Sequence, residues 1–245
     1  MTVLRYILDR VAAGKVHMTL IDPEKQPADE AGVLAAAAAH AGTDAIMVGG
    51  STGVTQERTD ATVTAIKAGI RLPVVLFPAG ASSLSRHADA VYFMSLLNSR
   101  TPRMIVGEQK DAVLAVKAWG LEAIPMAYLI VEPGMRAGEV GQAKPIPRDD
   151  ATEAVRYALT AQYMGMQLVY LEAGSGAPQP VPEAMVSAVK RAISIPLVVG
   201  GGIRTPEAAR AVARAGADIV VTGTVVEAPR DAGVLHAIVR AVKGP

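Results

Sequence analysis

The feature that most restricts this chain is a regular beat of short apolar runs. Eight recur: "KVHMTLIDP", "DAIMVGGS", "LPVVLFPAG", "DAVYFMSL", "EAIPMAYLIV", "QLVYLEAGS", "IPLVVGGGI" and "DIVVTGTVV". They are continuously apolar rather than alternating, the pattern of strands covered on both faces in a parallel sheet. Between them lie alanine-rich helical patterns such as "PADEAGVLAAAAAHAG", "VTQERTDATVTAIKAG", "DDATEAVRYALTAQYMG" and "TPEAARAVARAGA". Most open with Asp, Thr or Pro and several close with Gly, the capping asymmetry of real helices.

Eight β-then-α units in 245 residues match a single-domain (β/α)8 TIM barrel spanning 1–245, a fold that typically needs about 250 residues. A doubly wound open sheet is the main competitor. It usually has fewer strands and carries a dinucleotide fingerprint at its first βα turn, which is absent here. Two irregularities stand out. Between "VVLFP" and "VYFM" only "AGASSLSRHADA" intervenes, too short for a full crossover helix, so the third βα unit is expected to be shortened or flexible. After the fifth strand comes a long Gly/Pro-rich connection, "VEPGMRAGEVGQAKPIPRDD", of the kind that is functional or disordered in compact domains.

Composition removes several classes of function. Hydrophobic residues at 51% and charged residues at 19% supply a sizeable core, while a net charge of +1 gives no argument for nucleic acid. The absence of cysteine excludes disulfides, thiolate metal sites and a cysteine nucleophile. "MTVLRYILDRVAAGK" has charges inside its apolar stretch and reads as an amphipathic helix, not a signal peptide. No run approaches the roughly 20 apolar residues of a membrane span. A soluble, cytoplasmic protein is expected.

In a (β/α)8 barrel the active site lies at the C-terminal ends of the strands. The segments that face it would be "DPEK", "GGST", "PAG", "SLLNSR", "VEPG", "EAGSGA", "GGGIR" and "GTVV". Glycine-rich turns follow the sixth, seventh and eighth strands. Gly201, Gly202, Gly223 and Thr224 would supply N–H groups and a hydroxyl to a phosphate, with Gly174, Ser175 and Gly176 closing a third side. Any one of these glycines could simply make a tight turn; three such turns on consecutive strands favour an anion cradle. Other phosphosugar barrels share "VVGGGIRT", so the cradle does not define a reaction.

Asp22, in "LIDPEK", ends the first strand. It reads either as the N-cap of the next helix, with Pro23 and Glu24 in the first turn, or as a metal ligand at the barrel mouth beside Ser51 of "GGST". One carboxylate and one hydroxyl would suit Mg2+, which keeps most of its shell for water and phosphate oxygens. "RDDATE", with Asp149, Asp150 and Glu153, reads more simply as a helix start than as an aspartate-rich metal motif. His17, His40, His87 and His236 lack ligand spacing.

Taken together, "LIDPEK", "GGST", "YLEAGSGA", "VVGGGIR" and "VTGT" resemble, over nearly the whole chain, the motif series of the geranylgeranylglyceryl phosphate synthases, the archaeal-type glycerol-1-phosphate prenyltransferases. "YLEAGSGA" is the specific member. The resemblance implies joining of sn-glycerol 1-phosphate to geranylgeranyl diphosphate with Mg2+, in ether-lipid biosynthesis. It implies a metal site at Asp22 and Ser51. The glycerol-phosphate site would be Tyr170, Leu171, Glu172, Ala173, Gly174, Ser175, Gly176, Gly201, Gly202, Gly223 and Thr224. Glu172 would be the catalytic residue that orients the reacting hydroxyl and takes its proton. Family members often have Asn where Thr224 stands, and both side chains can hydrogen-bond a phosphate.

An apolar trough for the prenyl chain would draw on Phe77, Tyr92, Phe93, Leu96, Leu97, Met126 and Tyr128, although each also reads as barrel core. Lys25, Arg100 and Lys144 are candidates for the diphosphate and equally ordinary surface charges. A homo-oligomer and transient membrane proximity for the lipid product are further expectations. Two rivals remain: a phosphosugar isomerase or cyclase, and a non-catalytic phosphometabolite-binding barrel.

Overall fold

The eight apolar runs become eight parallel strands: β1 (Val16–Ile21), β2 (Ala45–Val48), β3 (Val74–Leu76), β4 (Ala90–Leu96), β5 (Glu122–Ile130), β6 (Leu168–Glu172), β7 (Leu197–Gly200) and β8 (Ile219–Thr222). They pair in chain order and β8 closes on β1, giving the expected (β/α)8 barrel rather than an open sheet. The structure, a computed structural model, describes residues 1–50, 53–223 and 232–244.

Side chains alternate between two environments along each strand. On β6, Leu168 and Tyr170 join the cluster inside the barrel, whereas Val169 and Leu171 pack against the helix layer. That layer comprises α2 (Ala28–Ala41), α3 (Gln56–Gly69), α4 (Glu108–Trp119), α6 (Ala151–Tyr163), α7 (Glu183–Ala192), α8 (Pro206–Ala215) and α9 (Ala232–Lys243). The first helix, α1 (Val3–Ala13), is the amphipathic N-terminal segment. Its Ile7 is buried with the barrel interior, and Val3, Leu4, Tyr6 and Val11 pack beside it, so α1 plugs the N-terminal end.

The third unit lacks its helix. Between β3 and β4 only a 3-10 turn, Ala81–Ser83, remains, and β3 and β4 share just two register pairs, Val75 with Ala90 and Leu76 with Val91. The outer side of β4 there is covered by that turn and by α4, which is entered through a π-helical turn, Arg103–Gly107. The long connection after β5 folds partly into a short helix, α5 (Met135–Val140). "RDDATE" is a helix start: Asp150 caps α6 by accepting from the Glu153 N–H at 2.9 Å.

Candidate active site

Glu172 is the last residue of β6 and shares the inward phase of Leu168 and Tyr170, four and two positions earlier. The residue is 6% exposed. Three neutral donors hold it: the Gly174 N–H, 2.6 Å from Oε1, and the hydroxyls of Tyr170 and Tyr128. Burial pushes the Glu172 carboxyl above its ordinary value, while the three hydrogen bonds pull the other way. The Tyr170 and Tyr128 phenols are raised well above theirs, by burial first and by the neighbouring carboxylate second. Both hydroxyls therefore stay protonated and keep donating.

Tyr128, a candidate for trough or core, belongs to the carboxylate's surroundings as well. It reaches Glu172 because β5 and β6 are in register, with Tyr128 beside Tyr170 and Ile130 beside Glu172. Tyr170 is 1% exposed and sits beneath the site as a buttress for the carboxylate.

The β7 loop passes directly over Glu172. A Cβ on Gly201 would lie 2.2 Å from Glu172 Oε1, and its φ of +78° lies where only glycine is comfortable. Among the described residues, the Gly201 and Gly202 N–H groups have no acceptor within the chain. The β6 and β7 loops are tied together by Arg204, not among the expected site residues, which donates to the Gly176 carbonyl at 2.6 Å. Gly174 differs from the expected arrangement, because its N–H is committed to Glu172 rather than pointing at an anion. Leu171 and Ala173 face the helix layer with their side chains, so only their backbones adjoin the loop. Those backbones are partly used, since the Ala173 N–H donates to Gly200 and its carbonyl accepts from Gly134.

Asp22 follows β1. It is not the N-cap of α2, which begins at Ala28 with Pro27 in the cap position. Instead its Oδ1 accepts the Glu24 N–H at 3.0 Å in a local turn. Two glycines after β2 make room for the rim. A Cβ on Gly50 would lie 2.2 Å from Asp22 Oδ1, and one on Gly49 would lie 1.8 Å from the Phe77 carbonyl. Among the described residues no group of three or more His, Asp or Glu gathers to cage a metal. One rim carboxylate, given room by Gly50, suits a hard cation that takes most of its ligands from water and substrate oxygens. Ser51 and Thr224, the remaining predicted contacts, lie outside the described residues.

Asp22, Glu172, Ser175 and Gly223 line one cavity together with Lys25. From the mouth this cavity runs sideways over the short third unit, between the 77–84 segment and β4, toward Ala112 and Val116 on α4. Its walls are largely apolar: Leu20, Phe77, Tyr92, Phe93, Leu96, Met104 and Tyr128, with Ala137 and Val140 of α5 on the opposite side. Leu97 and Met126 are elsewhere, one against the helix layer and the other buried inside the barrel. Arg100 and Lys144 do not line the cavity; their backbone N–H groups bond to Gln142 and Asn98 in the connection beyond β4 and β5.

Fold and rim define a (β/α)8 barrel whose mouth combines a buried carboxylate, a glycine-rich double loop and an apolar channel. The chain belongs to the PcrB family, whose model matches residues 9–242. It is 56% identical over 222 residues to a geranylgeranylglyceryl phosphate synthase of Thermococcus kodakarensis, covering 91% of this chain and 88% of that protein. The crystal structure of (S)-3-O-geranylgeranylglyceryl phosphate synthase from Thermoplasma acidophilum, in complex with its substrate sn-glycerol-1-phosphate, superposes with a TM-score of 0.97 at 52% identity, covering 99% of both chains. The wild-type synthase of Thermoplasma volcanium gives 0.96 at 50% identity, covering 99% of this chain and 98% of that one.

Proposed function

We propose that this chain is a prenyltransferase that joins sn-glycerol 1-phosphate to geranylgeranyl diphosphate, forming the ether bond of geranylgeranylglyceryl phosphate. One observation carries the reading: the buried Glu172 stands where a glycine-rich loop pair meets an apolar channel. A ligand that is phosphate at one end and hydroxyl at the other suits the first. A long hydrocarbon suits the second. The names of the relatives at 50–56% identity support the same assignment.

Gly201, Gly202, Gly176, Gly223 and Thr224 would bind the phosphate, with Ser175 at the edge of the cavity. Glu172 would accept a hydrogen bond from the reacting hydroxyl and take its proton as the new C–O bond forms. Three donors fix the carboxylate, so little orientational freedom is lost at the moment of reaction. Its raised affinity for a proton makes it a better base than a solvated glutamate, provided the pH is high enough to ionise it. Asp22 with Ser51 would hold Mg2+, which would supply positive charge to neutralise the diphosphate. Lys25 lines the same wall and would add a positive charge there. A homo-oligomer, a cytoplasmic location and transient contact of the product with a membrane belong to the same reading. No helix among the described residues is long and apolar enough to cross a membrane.

The test is a transfer assay with purified protein, labelled sn-glycerol 1-phosphate, Mg2+ and prenyl diphosphates of increasing length. Lipid-soluble product that needs Mg2+ and disappears with Asp22→Ala and Glu172→Ala is expected. Tight glycerol-phosphate binding without product from any donor would return the chain to the phosphosugar enzymes.

A further inference from the structure

Aromatic residues are scarce in this chain, at 4%. Yet both phenylalanines and three of the six tyrosines collect at one end of the barrel, around the cavity mouth. Phe77 is the centre of the group. Its ring lies 5.3 Å from Tyr128, 5.7 Å from Tyr170 and 6.2 Å from Tyr92, centroid to centroid. The three tyrosines are buried and their hydroxyls are engaged, two with Glu172 and the third with Met18 Sδ at 3.2 Å. Phe77 alone of the four is only partly buried, and it lines the cavity.

Its position relates it to both ends of the reaction. Toward β6 it touches the two tyrosines that hold Glu172. Toward β2 its carbonyl abuts Gly49, adjacent to Gly50 and hence to Asp22. Phe77 thus lines the cavity that Asp22 and Glu172 share, its ring against the tyrosines beside Glu172 and its backbone against the turn beside Asp22. Breaking the C1–O bond of an allylic diphosphate sends the electron pair to the departing diphosphate and leaves positive charge on the allyl carbons. The glycerol-phosphate hydroxyl oxygen then bonds to C1, and its proton passes to Glu172. Positive charge would then appear in the mouth that Asp22 and Glu172 share, where Phe77 is the least buried of the four rings in mutual contact.

We propose that Phe77 is a catalytic residue whose ring stabilises the developing allylic cation, with Tyr92, Tyr128 and Tyr170 holding that ring in place. The attraction is between the cation and the ring's quadrupole, and it strengthens where water is excluded. This rests on the prenyltransferase reading and goes beyond it by naming the group that distinguishes the charged transition state from the neutral donor. An aliphatic side chain of similar size would line the channel equally well and lack that discrimination.

Turnover is measured first: wild type with sn-glycerol 1-phosphate and geranylgeranyl diphosphate. No lipid-soluble product would overturn the transferase reading and this proposal with it. Given product, two probes are compared in the presence of inorganic diphosphate. One is a prenyl ammonium salt, with nitrogen at the position of C1, and the other is the neutral hydrocarbon isostere. Wild type is expected to favour the ammonium by about ten-fold, and Phe77→Leu to lose that preference while still binding the neutral isostere. Fluorinated phenylalanines at position 77 keep the shape and weaken the quadrupole, so they test the idea even if the leucine variant folds poorly. Ammonium affinity and kcat should fall stepwise with each added fluorine. A preference unchanged across the fluorinated series would overturn the proposal, leaving Phe77 as channel wall.

Discussion

The two rims of the barrel treat carboxylates in opposite ways. At the N-terminal rim Asp44, Asp89 and Asp218 each precede an even-numbered strand and each does the same task. The backbone N–H of Asp44 donates to the carbonyl of His17 and its side chain accepts the His17 N–H; Asp89 does this with Val74 and Asp218 with Leu197. Every one is also paired with cations: Arg10 and Lys243, Lys67, and Lys190 with Lys15. At the C-terminal rim Glu172 is as buried as Asp44 and Asp218, but its partners are neutral and, among the described residues, it pairs with no cation. The first arrangement satisfies charge completely and serves stability. The second leaves a carboxylate with unspent proton affinity facing a cavity, which costs stability and can do chemistry.

The sixth strand supports the comparison by breaking the pattern. Where the other even strands are preceded by Asp, β6 is preceded by Gln167, whose N–H bonds to the carbonyl of Pro125. Proline has no N–H to offer, so an aspartate there would have nothing to accept.

Four changes would break or sharpen this contrast, the largest effect first. Asp44→Ala strands Arg10, Lys243 and the His17 N–H together and should cost about 2–4 kcal/mol by urea denaturation, while the protein that remains folded keeps its transfer rate. His17 comes second. It is fully buried between Thr43 and Thr222, and burial lowers its pKa to about 3. The folded state thus refuses a proton that the unfolded chain accepts. Stability should be fully present above about pH 6.5 and fall as pH drops toward 3, with a slope near one proton that His17→Gln removes. Third, Tyr128→Phe deletes a donor that holds the Glu172 pKa down, so the acidic limb of the pH–rate profile should move to higher pH with little change in Tm. The smallest effect is a coupling: Pro125→Ala exposes an N–H and Gln167→Asp supplies its acceptor. A double-mutant cycle should show about 0.5–1.5 kcal/mol of favourable interaction absent from either single change.

The barrel was legible because burial on both faces forces every strand to be apolar throughout, and eight such runs at regular spacing leave few alternatives. The shortened third unit was legible from chain length alone, since a dozen residues cannot cross over as a helix. Glu172 was visible because a carboxylate ending an apolar run is costly without a reason. What the linear sequence hid is what depends on register. Tyr128 is 44 positions from Glu172 and reads as core until β5 and β6 are aligned. The Asp22 cap failed on a local detail: Pro27, not Asp22, occupies the cap position of the next helix, and Asp22 closes a local turn instead. Arg204 gave no signal, being one exposed cation among many until the two loops close around Gly176.

The most direct test of the contrast is Glu172→Gln, with thermal stability and prenyl transfer measured on the same preparation. The substitution keeps the shape and an acceptor for the Gly174 N–H but removes the buried charge. The expected result is a Tm at or above wild type at neutral pH, with transfer reduced by about a hundred-fold or more. Loss of stability with little loss of transfer would contradict the account, making Glu172 a structural carboxylate like those at the opposite rim.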